Sequence, residues 1–332
     1  MSRLTILGIE TSCDDVACAI VRGREVLSSV VSSQEVHKQF GGVVPELASR
    51  AHLRLILPVL EESLKRADLE LPDVDAIAVT SGPGLIGSLL VGLSVAKGIA
   101  FARSIPIVGV NHIEAHLLTP LAEGIELSPP FVGLAVSGGH TEFIFVKALD
   151  DLITIGSTRD DAAGEAFDKA AKLLALGYPG GPEIDKLSRE GNRESYSFPR
   201  AWLGKDSFDV SFSGLKTALR YLLASMPAEK IEKEKKNIAA SFQEAIVDVL
   251  VTKLFLAAEK FNVTEVVVAG GVASNSRLRE EALREGKRKG IKVVIPSPSL
   301  CMDNAVMVAI AGALRLERGE RANLFLDALP TL

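Results

Sequence analysis

The chain has 332 residues, of which 47% are hydrophobic, 24% charged and 5% aromatic, with a formal net charge of −5. Such composition excludes a disordered, collagen-like or disulfide-stapled chain, and the length suits two domains. The acidic balance and the scarcity of rings imply that, if the chain handles nucleic acid, it does so with helpers or through a small patch, because neutralising phosphates needs surplus Lys and Arg and stacking needs aromatics.

Residues 4–10 form a short apolar run that fits a buried strand, and Glu10 interrupts it too early for a signal peptide. Cys13, Cys18 and Cys301 are odd in number and form no CxxC pair, which points to a reducing compartment. Strands are expected over 16–22 and 25–32, with Gly23 at the turn. Pro45 suits the first turn of a helix reaching about Arg66, with Leu47, Leu53, Leu57, Leu60 and Leu64 as its apolar face. A strand over 76–81 is broken by Gly82-Pro83-Gly84, and a small-residue helix covers 87–102. The greasiest stretch, 89–102, contains Lys97 and falls short of the about 18–20 apolar residues of a membrane span, so a soluble cytoplasmic protein is expected. A strand follows over 107–110.

The pattern then restarts. Strands over 131–136, 141–146 and 152–157 precede a helix over 161–176. The turn after the first strand is small and polar both times, Thr11-Ser12-Cys13-Asp14 and Ser137-Gly138-Gly139-His140, so a repeat of topology rather than of residues is predicted. Residues 177–212, dense in Gly and Pro, read as an irregular insertion. A helix is predicted over 238–260, a strand over 265–269 closed by Gly270-Gly271, a helix from about Ser274, a strand over 292–295 and a last helix from near Asp303. Alternating strands and helices predict α/β architecture with largely parallel sheets.

His112 and His116 carry the sharpest chemical signal. At i and i+4 they share one helix face at a strand's carboxyl end, where their imidazoles can converge on a metal. The order H-x-E-x-H differs from the zinc-protease H-E-x-x-H, and it turns Glu114 about 200° around the helix from either histidine. Glu114 therefore cannot act as a metallopeptidase base. A third ligand must come from elsewhere, and a carboxylate there would suit iron, zinc or manganese. The Ser137-Gly138-Gly139-His140 turn and the Gly270-Gly271 turn, with Ser274-Asn275 opening a helix, are candidate phosphate and nucleotide seats; a hairpin turn and an N-cap explain the same residues without a ligand. Asp168 lies one to two turns inside its helix, beyond a dipole role, and could reach a ribose hydroxyl or a metal-bound water. Glu10 and Asp14 flank the turn after the first strand, where carboxylates could position a metal, a water or an amine, or simply cap the turn. There is no G-x-x-x-x-G-K-[ST] loop. The basic run Arg277, Arg279, Arg284, Lys287, Arg288 and Lys289 is diluted by Glu280, Glu281 and Glu285 and reads as a solvated helix face.

Ten collinear segments between about residues 4 and 325 resemble the tRNA N6-adenosine threonylcarbamoyltransferase family: Gly8-Ile9-Glu10-Thr11-Ser12-Cys13-Asp14, Phe40-Gly41-Gly42-Val43-Val44-Pro45-Glu46, Gly82-Pro83-Gly84-Leu85, Asn111-His112-Ile113-Glu114-Ala115-His116, Val136-Ser137-Gly138-Gly139-His140-Thr141, Gly164-Glu165-Ala166-Phe167-Asp168-Lys169, Tyr178-Pro179-Gly180-Gly181-Pro182, Phe212-Ser213-Gly214-Leu215-Lys216-Thr217, Gly270-Gly271-Val272-Ala273-Ser274-Asn275 and Asp303-Asn304. The resemblance implies the actin-like fold of sugar kinases and chaperone ATPases: two lobes, each a mixed sheet flanked by helices. The first lobe would span 1–129, the second 130–302, and a C-terminal helix and tail, 303–332, would pack back on the first. His112, His116 and Asp303 would hold one divalent metal, Fe2+ or Zn2+. Ala135, Val136, Ser137, Gly138 and Gly139 would cradle the phosphate and threonylcarbamoyl group of an adenine nucleotide, threonylcarbamoyl-AMP or ATP. Asp168, Gly181, Asp185 and Asn275 would bind its adenosine part, and Asp14 is a candidate catalytic group. Archaeal and eukaryotic relatives place a metal-binding tyrosine where this chain has Ala135, so the resemblance is to the bacterial, TsaD type. The implied reaction moves threonylcarbamoyl to N6 of adenosine 37 in tRNAs reading ANN codons. The implied partners are tRNA, an inactive paralogue of TsaB type docking on the helices near 45–66 and 87–102, and a small P-loop ATPase of TsaE type, with no membrane. The rival readings are a nucleotide-binding metallopeptidase and a non-catalytic nucleotide switch; the switch leaves the histidine pair unexplained.

Overall fold

The computed structural model describes residues 4–33, 43–204 and 207–330. In chain order the strands are β1 (Thr5–Glu10), β2 (Val16–Arg22), β3 (Glu25–Ser32), β4 (Ala76–Gly82), β5 (Ile107–Asn111), β6 (Phe131–Val136), β7 (Thr141–Ala148), β8 (Asp151–Ser157), β9 (Glu265–Ala269) and β10 (Lys292–Val294). The helices are α1 (Pro45–Arg66), α2 (Ile86–Arg103), α3 (His112–Leu118), α4 (Ala163–Leu173), α5 (Gly180–Ser188), α6 (Ser213–Ala224), α7 (Ala228–Lys260), α8 (Ser276–Lys289), α9 (Pro298–Cys301) and α10 (Ala305–Glu317). The chain divides into two compact units, Met1–Leu127 with Met302–Leu332, and Ser128–Cys301. The joints fall at 127/128 and 301/302, against 129/130 and 302/303 from the sequence.

The first unit holds a sheet in the order β3-β2-β1-β4-β5. Short turns join β1, β2 and β3, and such links permit only antiparallel pairing; α1 and α2 lie in long crossovers that let β1, β4 and β5 run parallel. Leu7 and Ile9 face a core shared with α1 and α2. Gly8 points to the opposite face, where α10 lies so close that an added Cβ would come within 2.3 Å of the Ala305 carbonyl oxygen.

Helix α1 corrects the expected apolar face. It buries Ala48, His52, Ile56, Val59, Leu60, Ser63 and Leu64, while Leu53 and Leu57 stand in solvent, 67% and 54% exposed. The helix carries more apolar residues than one face can cover, so leucine spacing alone placed Leu60 and Leu64 on the buried face correctly and Leu53 and Leu57 wrongly. Helix α2 is longer than expected. Its 18 residues, with mean hydropathy 1.4, could cross a membrane by length and composition alone. It packs instead on β4 and α1 through Leu89, Val91, Leu93, Ala96 and Ala100.

The second unit repeats the pattern. Its sheet runs β8-β7-β6-β9-β10, with β6, β7 and β8 antiparallel and β6, β9 and β10 parallel, the same order and sense as in the first unit. The expected irregular insertion contains a helix, α5. Gly180-Gly181-Pro182 opens it rather than breaking it, because a proline in the first turn lacks only an N–H that would go unpaired there anyway. Helix α7 begins ten residues before the expected 238, in a Glu- and Lys-rich stretch whose helix propensity needs no apolar stripe. Helix α6 was not anticipated. Its start is held by Asp160, which accepts hydrogen bonds from the N–H groups of Phe212 (2.8 Å) and Ser213 (3.0 Å) and the hydroxyls of Ser211 (2.5 Å) and Ser213 (2.7 Å).

Two predictions follow from this packing. Gly8→Ala should destabilise the first unit by about 1–3 kcal/mol, because the backbone of α10 must move, and chemical denaturation reads it. For Asp160, partial burial opposes the charge, but the four donors outweigh it and hold the carboxyl near about 2. Its contribution is therefore complete above the unfolded value near 3.8 and is lost as pH falls through about 2. Asp160→Asn should flatten the acid limb of the stability–pH profile between those values, measured as denaturation midpoints.

Candidate functional site

In the first unit, β5 runs directly into α3, and Asn111 caps the helix by accepting from the N–H groups of Ile113 (2.8 Å) and Glu114 (3.1 Å). This cap fixes His112 and His116 in consecutive turns, their rings 4.7 Å apart and edge to face. Asp303, just before α10, meets both: its Oδ1 lies 3.1 Å from Nε2 of His116 and 3.6 Å from Nε2 of His112. One ligand atom from each of the three residues falls within 4.8 Å of the others.

Behind the triad stands Glu10. Its carboxylate is buried at the end of β1 and accepts from the Ser12 N–H (2.5 Å) and the Thr80 hydroxyl (2.6 Å). Oε2 of Glu10 lies 3.1 Å from Nδ1 of His112. A histidine that gives one ring N–H to a carboxylate presents the other nitrogen to a metal, the usual second-shell arrangement. Burial works against a charged His112, yet the Glu10 and Asp303 carboxylates prevail and raise it to about 9. Burial likewise opposes the Glu10 charge, and His112 pulls it below the ordinary carboxylate value. The pocket thus stabilises positive charge at the point where a cation would sit. His116 adds a buried Nδ1 with no hydrogen-bond partner among the described residues. Two imidazoles and one carboxylate form a donor set suited to iron or zinc.

Of the other carboxylates, Glu114 turns away from the pair and binds Arg315 at 2.5 Å, which agrees with the H-x-E-x-H geometry and removes the peptidase base. Asp14 lies half-buried in the turn after β1 and bonds the Cys13 thiol, outside the triad. Asp15 is the residue sequence reading missed: burial pushes it up to about 7, with the Ser33 hydroxyl opposing and the Asp303, Asp14 and Glu10 carboxylates adding to the rise. Nothing in its local sequence distinguishes it from Asp14. Glu10 did carry a signal, as a carboxylate inside a run of buried strand residues.

In the second unit, Ala135 and Val136 end β6, and the Ser137–Gly139 bend sits over the start of α4, where the Gly164 N–H donates to the Ser137 carbonyl (3.2 Å). Gly164 and Gly270 are required by this packing: a Cβ on either would strike the Ser137 or Val136 carbonyl oxygen at 2.6 or 2.5 Å. Gly138, Gly139 and Gly181 are different, since a Cβ there would meet nothing within 4 Å. Asp168 accepts from the Gly180 N–H (2.7 Å), tying α4 to the start of α5. Asp185 accepts from the Ser276 N–H (3.1 Å) and hydroxyl (2.7 Å), tying α5 to α8. Asn275 is the N-cap of α8 and donates to Gln243 (2.7 Å). The chain therefore links Asp168, Gly181, Asp185 and Asn275 through two helix starts, those of α5 and α8.

The basic run on α8 is mostly bonded within its own unit. Arg277 is buried against Glu244 (2.7 and 2.8 Å) and Glu281 (2.7 Å), Arg284 pairs with Glu281, Arg288 with Glu285 (2.8 Å) and Lys289 with Glu259. Arg279 bonds the Ala273 and Pro296 carbonyls. Arg277 is buried by its pairs, whereas Arg284, Lys287 and Arg288 stay exposed, so the outer part of the run is the solvated face expected from the sequence.

The profile of TsaD, tRNA N6-adenosine threonylcarbamoyltransferase, matches residues 25–310. The tRNA N6-adenosine threonylcarbamoyltransferase of Clostridium beijerinckii is 51% identical over 334 residues, covering 100% of this chain and 98% of its own. That of Clostridium perfringens (strain 13) is 50% identical over 334 residues, with the same coverage. Among solved structures, full-length HypF in its phosphate- and nucleotide-bound form aligns over 95% of this chain with a TM-score of 0.63 at 15% identity; the chain spans 47% of that protein's length. The activator of 2-hydroxyisocaproyl-CoA dehydratase from Clostridium difficile, with bound ADPNP, aligns over 96% of this chain and 99% of its own, with a TM-score of 0.54 at 14% identity. These two likenesses establish the actin-like fold. With half of its positions shared along the whole length of such relatives, and the profile matching through both units, the chain belongs to the tRNA N6-adenosine threonylcarbamoyltransferase family and is a tRNA-modifying transferase.

Proposed function

We propose that this transferase moves threonylcarbamoyl from threonylcarbamoyl-adenylate to N6 of adenosine 37 in tRNAs reading ANN codons and releases AMP. The observation that carries the reading is the convergence of His112, His116 and Asp303, backed by Glu10. These residues would hold a divalent ion, Fe2+ before Zn2+, because two imidazoles with one carboxylate match the non-haem iron donor set. When bound, the ion supplies Lewis-acid help, orienting the donor and neutralising charge that develops on its carbonyl or phosphate. Asp303 is the more open ligand, 22% exposed against 3% or less for the imidazoles, so substrate would approach from its side.

The adenosine amine attacks the carbamoyl carbon, a C–N bond forms, and the bond from that carbon to the adenylate phosphate oxygen breaks. N6 gives up one proton, for which Asp14 is our candidate acceptor. No protein nucleophile enters. The 135–139 segment would hold the phosphate and threonylcarbamoyl group, and Asp168, Gly181, Asp185 and Asn275 the adenosine part. Gly138, Gly139 and Gly181 support this assignment, because the chain's own packing gives no reason for glycine at those places. Backbone N–H groups at such positions can approach anionic oxygen closely.

The acidic chain would work in the cytoplasm with partners. Leu53 and Leu57 on α1 and Ile86, Leu90 and Phe101 on α2 are exposed apolar residues that would seat a TsaB-type paralogue. A TsaE-type P-loop ATPase would complete the system.

The decisive test incubates the chain and partners with tRNA and threonylcarbamoyl-adenylate and looks for the modified nucleoside by mass spectrometry. His112→Ala with His116→Ala should abolish transfer and metal content while the circular dichroism spectrum stays native; full activity in that double variant would reject the assignment. Glu10→Gln should weaken metal binding by about 10–100-fold, read by competition with a chelator, because His112 loses the carboxylate that orients it.

A further inference from the structure

Helix α6, which carries the Phe212–Thr217 motif, has no role in the site above. Its sequence, S-G-L-K-T-A-L-R-Y-L-L-A, contains no acidic residue. Leu215 and Leu219 are buried, and Lys216, Thr217, Arg220 and Tyr221 are exposed. Lys216 and Arg220 stand at i and i+4, side by side on the surface, and neither meets a carboxylate among the described residues. The Arg220 guanidinium lies over the Tyr221 ring, 5.6 Å from its centre, and Tyr221 as a residue is 65% exposed.

The chain has 42 acidic and 37 basic residues, and some of its helical cations are neutralised in place, Arg50 by Glu46, Arg66 by Glu62, Lys169 by Glu165 and Arg288 by Glu285, while others such as Arg54 and Lys172 stand exposed like those of α6. What sets α6 apart is that its exposed cations share a face with an exposed tyrosine and with no acidic residue of the helix. Two like charges one turn apart weaken a helix in isolation. Asp160 already neutralises the helix start, so any anion drawn to α6 is drawn by its side chains.

We propose that the exposed face of α6 binds the backbone of the substrate tRNA. Lys216 and Arg220 each meet a phosphate, and Tyr221 offers its ring to an unpaired base. The proposal rests on the reading of the chain as a tRNA-modifying transferase, which supplies the RNA. An acidic protein surface would also pair with the two cations, but an exposed ring between cations and hydroxyls is the composition that nucleic acid uses, since every base has a face that stacks. Each phosphate contact releases counterions, so affinity falls linearly in log–log coordinates as salt rises.

The test is Lys216→Gln with Arg220→Gln in the full chain assembled with its partners. Equilibrium tRNA binding is followed between 50 and 200 mM salt, with steady-state kinetics alongside. The expected result is a salt slope smaller by about 1.5–2, a KM for tRNA raised about tenfold, and unchanged kcat and KM for the adenylate. Tyr221→Ala should weaken tRNA binding several-fold and Tyr221→Phe should restore it. An unchanged tRNA KM and salt slope would overturn the proposal, and so would weaker assembly with a protein partner at unchanged tRNA affinity. Should the double variant show the smaller salt slope while the wild-type assembly modifies no nucleoside, the transferase reading falls and the α6 surface stands.

Discussion

A carboxylate with no access to solvent organises the first unit. Glu10 closes β1 inside the sheet, and an isolated charge there would be far too costly to keep. It is kept because the Ser12 N–H, the Thr80 hydroxyl and the His112 ring all turn toward it. Those three donors come from the turn after β1, from β4 and from the head of α3, so satisfying one group fixes the relative places of three elements. Asp303 approaches the same imidazole from the start of α10. The result is a cation-favouring pocket whose His112 is lifted to about 9 before any ion is considered. Removing one partner of such a network leaves the others buried and unpaired, which makes the loss of any one of them costly.

The second unit has the same strand order and a different solution at the same topological place. Where the first turn of unit one ends in carboxylates, the corresponding turn after β6 is Ser137–His140, with two glycines open to solvent. Its neighbours are set by close backbone approaches at Gly164 and Gly270 rather than by charge. One topology thus yields a cation seat in one copy and a backbone-lined bend in the other. The difference comes from a handful of residues at strand ends, which is where α/β sheets expose their connections.

Charge is allocated with similar economy. Arg277, Arg284 and Arg288 of α8 pair with Glu244, Glu281 and Glu285 within their own unit, whereas Lys216 and Arg220 of α6 meet no carboxylate among the described residues. Along the sequence the α8 run is the densest in cations, yet it already reads as diluted by Glu280, Glu281 and Glu285. For Arg277 and Lys289 the neutralising carboxylates come from α7, Glu244 and Glu259, while Arg284 and Arg288 pair within α8 itself.

Much of the architecture was legible because it is local. The strand runs at 5–10 and 131–136, the restart of the pattern, the histidine spacing and the outward direction of Glu114 all follow from side-chain periodicities of two and 3.6. The resemblance to a family, not the spacing, pointed to Asp303. What the residues alone could not decide was long-range: that Asp303 meets His116 across 187 positions, that Leu53 and Leu57 rather than Ala48 and His52 stay in water, and that Gly180 opens a helix. Short windows of sequence encode which face of an element is greasy or polar. Which element returns to cover that face is set by how the whole chain packs, and only the folded arrangement records it.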